Sequence, residues 1–465
     1  EGLVIGDKII MVDSTSTIGF TTKEVSALIK GEKGTEVTLG IYRPSTRRKY
    51  EYVLTRDQIV VKDVPYYGID EDGIGYVRIT KFSRYTARDF RVAMKSFSES
   101  DNLNGIVIDL RNNSGGLLRN ALSILDNLVE KNTLLLSTRG RNKNSNSKKY
   151  ARQNPIIDQD VPIAVLINKG SASASEIVAG TLQDLDRAVI MGEKSFGKGL
   201  VQSMFPINDS TKLKLTTAKY YTPSGRLIQK YDYLENGVLT DGLDKSDSTF
   251  YTLGGRKVKG GGGITPDITL SRNTIPPFVS GLWRQGLFLT FAATYVPSRD
   301  IQTPVVITNE IILDFKQFLE DYDFKYSEPG EKEFTRIKDI IAKSEDFEDR
   351  KSAKLFSKLF FWQKSPSDKL FGDLEKFYKH KKDNPFDSKE NLKGIRNGLY
   401  REMSSVVTGL NKDRIKAALS YDNIYDDAKI VLLNANRYYD ILSPEHDVLD
   451  TAEENSIIID SENGE

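Results

Sequence analysis

The chain has 465 residues, 38% of them apolar, with 66 Lys and Arg against 65 Asp and Glu, a formal charge of +1, no cysteine and two histidines. At this length about three domains are expected; the charge balance offers no basic surface for nucleic acid, the lack of cysteine removes disulfides, thiolate metal sites and thiol nucleophiles, and no run of 18 apolar residues could span a membrane. Both histidines, His380 and His446, come late, so chemistry in the first 275 residues proceeds without imidazole unless a later segment folds back, which sets aside most Ser-His-Asp and His-ligated metal sites.

The sequence begins inside an already patterned segment, so a start methionine and any export signal are expected outside it. Residues 8–12 and 36–42 alternate like strands, and TTKEVSALIK between them has helical spacing at Val25, Leu28 and Ile29, with Thr21 or Thr22 as N-cap. Closed by YEYVLTRDQI, residues 1–58 read as a small β-rich module.

Residues 59–275 read as α/β. Strands are expected at 73–82, 104–111, 161–168 and 188–192, helices at 86–98, 117–130 and 174–185, and a hairpin from LVQSMFPI and KLKLTTAKYYTP. The basic stretch 139–154 reads as a mobile loop. From 276 to 465 charged helices alternate with loops, as in a separate all-α domain without a chemical motif, ending in an acidic tail; His380 lies on a Lys-rich surface.

GEKSFGKGLVQ (192–202) comes close to the GxxxxGK[ST] phosphate loop. Residue 199 is glycine, so the hydroxyl that would hold Mg²⁺ is missing, and a strand pattern follows where an anion needs a helix N-terminus. The apolar strand ending in Asp109 also precedes the loop, the reverse of the usual order. A nucleotide site is excluded.

NKGSASASEIVAG, before it, runs from a buried strand through small residues into a helix. A serine there projects past the sheet edge, and the first free N–H groups of the helix can face a developing oxyanion. Ser173 then needs a base, and without His or Cys a lysine is the remaining candidate. Ser173-Ala-Ser-Glu176 is also a capping box, Ser171 and Ser175 are also ordinary turn residues, and a lysine in a glycine loop is ordinarily solvated.

DLRNNSGGLL (109–118), GSASASEIVAG (170–180), LQDLDRAVIMGEKSFGKGLVQ (182–202), YYTPSGRLIQ (220–229) and GITPD (263–267) together resemble the carboxyl-terminal processing peptidases, or tail-specific proteases, serine peptidases with a Ser/Lys dyad. GLVIGDKII and LIKGEKGTEVTL resemble the second half of a PDZ domain. The resemblance implies an α/β (α+β) peptidase core at 59–275, a partial PDZ module at 1–58 and an all-α domain at 276–465. It makes Ser173 the nucleophile, Lys198 the general base and Gln202 the residue that orients it. Backbone N–H groups of Gly115 or Gly116 and of Ala174 would form the oxyanion hole, with Glu176 in support. No metal or cofactor is implied. Ser114 stands where the family often has proline.

A lysine accepts a proton only when neutral, whereas an ordinary lysine is charged at neutral pH, so the reading needs apolar neighbours such as Phe196, Leu200 and Val201. The implied substrates are unstructured carboxyl-terminal tails of proteins, added as a strand to the PDZ module beside Val25, Leu28 and Ile29. The helical domain is expected to serve oligomer formation or an adaptor, and the family works outside the bacterial cytoplasm. A catalytically dead scaffold, or an enzyme of other specificity on the same core, are the alternatives.

Overall fold

The computed structural model describes residues 2–59, 61–235, 238–241, 248–271, 274–299, 301–343 and 366–445. The chain divides into two compact units, one of residues 1–59 with 274–421 and one of residues 60–273 with 422–465.

In the first unit, Lys8–Val12 (β1), Thr15–Ser16 (β2), Glu36–Arg43 (β3) and Arg48–Thr55 (β4) make an antiparallel sheet in the order β2-β1-β3-β4. Helix α1, Thr22–Ile29, starts at Thr21: its hydroxyl accepts the Glu24 N–H at 3.3 Å, and the Glu24 carboxylate accepts the Thr21 N–H at 2.7 Å. Val25, Leu28 and Ile29 pack against Val12, Val37, Leu39 and Ile41. These three side chains, read as groove residues, are thus half-buried in the module's own core. A helix this short has a single apolar stripe, and the interior takes it.

The helices of this unit gather around Phe288, Phe291, Phe315, Leu399 and Met403. Phe288 stacks on Phe315 with ring centroids 5.4 Å apart. Gly398 lets the helix Lys389–Thr408 approach, since a Cβ there would sit 2.6 Å from the Phe288 ring. His380, on Pro366–Lys382, is exposed; His446 and the acidic tail lie outside the described residues.

The strands of the second unit's two larger sheets are Tyr66–Ile69 (β5), Ile74–Arg78 (β6), Gly105–Asp109 (β7), Leu134–Arg139 (β8), Ser147–Tyr150 (β9), Ile163–Ile167 (β10), Val189–Gly192 (β11), Leu200–Pro206 (β12), Lys212–Tyr221 (β13) and, later, Ile268–Thr269. Its first helices are Thr86–Ser98 (α2), Leu118–Leu125 (α3) and Ala174–Asp184 (α4). The central sheet has the order Ile268–Thr269, β11, β10, β7, β6, β5, parallel except for the β5–β6 pair. Every residue of β7, β10 and β11 is buried, which explains their unbroken apolar runs. Because these three strands are parallel and in register, the turns at 110–117, 168–173 and 193–199 all leave one edge of the sheet. That edge is where an open α/β sheet holds its ligands.

A second sheet, β12-β13-β8-β9, is antiparallel. The stretch expected as a loop at 139–154 contains β9, which pairs with β8. Its lysines lie on a strand with alternate residues exposed, so charge content hid the pattern.

From Asp422 the chain rejoins this unit. Asn423–Leu433 packs on β7, where Gly105 leaves room: a Cβ there would lie 3.1 Å from the Leu432 Cβ. Tyr425 meets Tyr76 edge-on, centroids 5.4 Å apart, and the Tyr438 hydroxyl accepts the Ile163 N–H at 3.1 Å. A single helical domain over 276–465 is therefore not what forms. Helical periodicity reports an apolar face and not the surface that face covers.

Candidate active site

Ser173 is the N-cap of α4, with φ 55° and ψ −109°. That is a sparsely populated backbone conformation for a residue with a Cβ, which persists only where the surroundings over-determine it. Ser173 and Glu176 form a capping-box pair, with the Ser173 side chain turned toward the Glu176 N–H. In the carboxylate half, Glu176 Oε2 accepts the Ser173 N–H at 2.8 Å. Ser171 and Ser175 differ from Ser173. Their hydroxyls are buried and donate to the carbonyls of Leu110 and Asn113, each at 2.8 Å, so both are structural.

An open cavity beside Ser173 is walled by Leu118, Ile177, Leu200, Val201 and Tyr220. Gly116 and Ala174 also line it. Gly115 and Gly116 have φ +94° and +149°, and a Cβ on them would meet Ala172 O at 2.6 Å and Phe82 O at 2.1 Å. Both positions therefore require glycine. Their amides are not equivalent. The Gly115 N–H is taken by Asn113 Oδ1 at 2.9 Å, which corrects the reading of Gly115 as an oxyanion donor. Among the described residues the Gly116 and Ala174 N–H groups have no partner, and both border the cavity.

Asn113 was not singled out in the sequence. Fully buried, it also donates through Nδ2 to Ile79 O at 2.9 Å, while its carbonyl accepts the Ala172 N–H at 3.0 Å. It joins the glycine turn to the serine turn.

Glu176 is fully buried and its carboxylate accepts four hydrogen bonds. Oε1 takes the Ser195 hydroxyl and the Gly197 N–H, each at 2.6 Å; Oε2 takes the N–H of Lys198 at 2.9 Å and that of Ser173. Burial, the largest influence, pushes its carboxyl above the ordinary glutamate range, and the four donors oppose that shift. The role read as support is that of a staple between the serine turn and the lysine loop.

Lys198 is half-buried in that loop, and its amine makes no hydrogen bond or ion pair among the described residues. Of the neighbours expected to desolvate it, Leu200 is 8% exposed and Val201 half-buried, but Phe196 is 54% exposed. Gln202 lies on β12 opposite Thr216, just past a register shift, and its side chain is exposed. The structure does not join Gln202 to Lys198. Spacing along the chain does not foresee a bulge.

Tyr220, the other residue that sequence reading missed, is 1% exposed on β13 and lines the cavity. Its single hydroxyl proton is shared between two acceptors, the carbonyl of Lys198 and, at 3.2 Å, that of Ser173. Burial raises its pKa well above that of an ordinary tyrosine, with the Glu176 charge acting in the same direction, so it remains a donor at neutral pH. It stands in the YYTPSGRLIQ stretch, but no periodicity marks it. No cluster of potential metal ligands exists among the described residues, and none of their helices is long and apolar enough to cross a membrane.

Residues 73–243 match peptidase family S41, and residues 278–360 match "Probable PDZ-protease, C-terminal helical domain". The chain is 41% identical over 263 residues to the carboxy-terminal-processing protease of Bartonella bacilliformis, covering 56% of this chain and 60% of that protein. It is 35% identical over 231 residues to the carboxy-terminal processing protease CtpB of Bacillus subtilis, covering 49% and 47%. Among solved structures, the photosystem II D1 C-terminal processing protease aligns with a TM-score of 0.34 at 28% identity, over 57% of this chain and 63% of that one. The matches thus span at most about three-fifths of these relatives.

Proposed function

We propose, from the match of residues 73–243 to peptidase family S41, that the chain is a serine endopeptidase cleaving proteins near their carboxyl termini. Neutral Lys198 takes the Ser173 hydroxyl proton as Oγ attacks the peptide carbonyl. The carbonyl oxygen becomes an oxyanion facing the Gly116 and Ala174 N–H groups, and the lysine returns its proton to the departing amine. Water, deprotonated by the same lysine, then releases the acyl group from Ser173. No step calls for a metal or cofactor.

The observation that carries this reading is Ser173 at the N-terminus of α4, in a strained backbone conformation beside the unpartnered N–H groups of Gly116 and Ala174 in a cavity. The substrates proposed are unstructured tails, with the β-rich module as a PDZ-type docking element and the helices of 277–419 in assembly or adaptor binding. The site of action proposed is outside the cytoplasm.

A fluorophosphonate probe tests it. The chain should be labelled at Ser173, as located by mass spectrometry of the adduct, and Ser173→Ala should abolish both labelling and cleavage of an unfolded polypeptide. Labelling of another serine, or a Ser173→Ala chain that still cleaves, would refute the assignment.

A further inference from the structure

Two side chains hold all four of the backbone polar groups of Ser173 and Lys198. Glu176 Oε2 accepts both N–H groups, at 2.8 and 2.9 Å. The Tyr220 hydroxyl addresses both carbonyls. Ser173 and Lys198 lie on different turns, and the structure joins them through these two residues. We infer that Tyr220 is a positioning residue that sets the register between nucleophile and base; this rests on the peptidase reading above.

The geometry suits that task. Tyr220 sits near the end of β13, and its own N–H donates to Gly199 O at 2.9 Å, next to the lysine. Leu200 and Val201 pair with Lys219 and Ala218, so the strand that follows the lysine is fixed to the strand that carries the tyrosine. On the other side, the Ser173 carbonyl also accepts the first intrahelical hydrogen bond of α4, from the Ile177 N–H at 3.0 Å. The tyrosine therefore ties the lysine loop to the helix that presents the serine.

The Ser173 backbone is held at φ 55° against its intrinsic preference. Its N–H is fixed by a carboxylate and its C=O by the phenol, so both flanking peptide planes are constrained. Without the hydroxyl, the Ser173 carbonyl keeps only the Ile177 N–H, so its tie to the lysine loop is lost, and the Lys198 carbonyl loses the donor that orients it. A displacement of about 1 Å between nucleophile and base costs on the order of 10²-fold in rate.

Tyr220→Phe removes one oxygen and keeps the ring that walls the cavity. With a tail peptide as substrate, kcat should fall about 10- to 100-fold with KM within about twofold, and fluorophosphonate labelling should slow in proportion. The pH–rate profile should also move, because the lysine's surroundings change with its placement. Tyr221→Phe, the neighbouring residue, serves as the control and should stay near wild type.

Incorporating 3-fluorotyrosine at position 220 restores the hydroxyl and should restore kcat. This arm keeps the test decisive if Tyr220→Phe folds poorly. A Tyr220→Phe chain whose melting temperature falls while kcat and pH profile stay at wild-type values would reduce the hydroxyl to a stabilising role and overturn the inference, as would a fluorotyrosine chain as slow as the phenylalanine one. If the wild-type chain is not labelled at Ser173, it is the peptidase reading that fails, a result distinct from either.

Discussion

Arg111 and Asp422, 311 residues apart in sequence, form a forked ion pair with Nη1–Oδ1 at 3.0 Å and Nη2–Oδ2 at 2.6 Å. Arg111 opens the turn that carries Gly115 and Gly116, and it is also held by Asp109 at 2.8 Å. Asp422 caps the helix that follows it, accepting the Ile424 N–H at 3.2 Å. The carboxyl-terminal helices are thus fastened to the sheet edge that bears the site. Asp422→Ala should lower the stability of the second unit by about 1–3 kcal/mol, read from denaturant midpoints. A chain ending at 421 should lose more, since it also uncovers Tyr76 and Gly105. An unchanged midpoint in both would show that the pair and the helices contribute nothing.

The three serines of the turn should separate stability from activity. Ser171→Ala and Ser175→Ala each remove a buried donor from a backbone carbonyl and should cost about 1–3 kcal/mol while leaving cleavage measurable. Ser173→Ala removes at most a capping hydroxyl, so it should cost no more than about 2 kcal/mol while cleavage disappears.

Lys198→Arg retains a cation but substitutes a group that cannot give up its proton. Turnover should fall by about 10²–10⁴-fold. Replacing His380, which is exposed in the other unit, together with His446 should leave the rate unaltered. Near-normal turnover in Lys198→Arg would remove the lysine from the mechanism. Gln202→Ala, at an exposed side chain with no bond to the lysine, should change kcat by less than about tenfold.

Glu176 should give the second unit a signature in pH. Its folded pKa is raised by burial, so between the ordinary glutamate value of about 4.3 and the raised value the folded state binds more protons than the unfolded one. The stability it contributes is present below that window and is lost as pH rises through the folded pKa. Glu176→Gln cannot titrate, and its amide would face two N–H donors, so it should be less stable at pH 7 by about 2–4 kcal/mol and should show a flatter pH dependence above the ordinary glutamate pKa. A wild-type chain and a variant with parallel stability curves would contradict the assignment.

Much was legible in the residues themselves. The apolar runs at 105–109 and 163–167 could only be strands buried on both faces, and Ala174–Asp184 begins where small residues end. With imidazole and thiol missing from the core, the order of Ser173 and Lys198 within the matching stretches leads to the family that residues 73–243 match. These features depend on period, residue chemistry and local sequence, which a chain carries before it folds.

Other features depend on distance across the fold. Which of two adjacent glycines keeps a free N–H was decided by Asn113, whose side chain reaches Gly115 only once the turn has closed. Glu176 and Tyr220 acquired their partners because α4, the loop at 193–199 and β13 meet at one edge of the sheet. Gln202 was turned to solvent by a register shift. The helices after Asp422 left the preceding helical unit for the unit built on the central sheet. Hydrogen bonds act over about 3 Å and carry no record of sequence separation, so the pairing of residues hundreds of positions apart was settled by the tertiary structure alone.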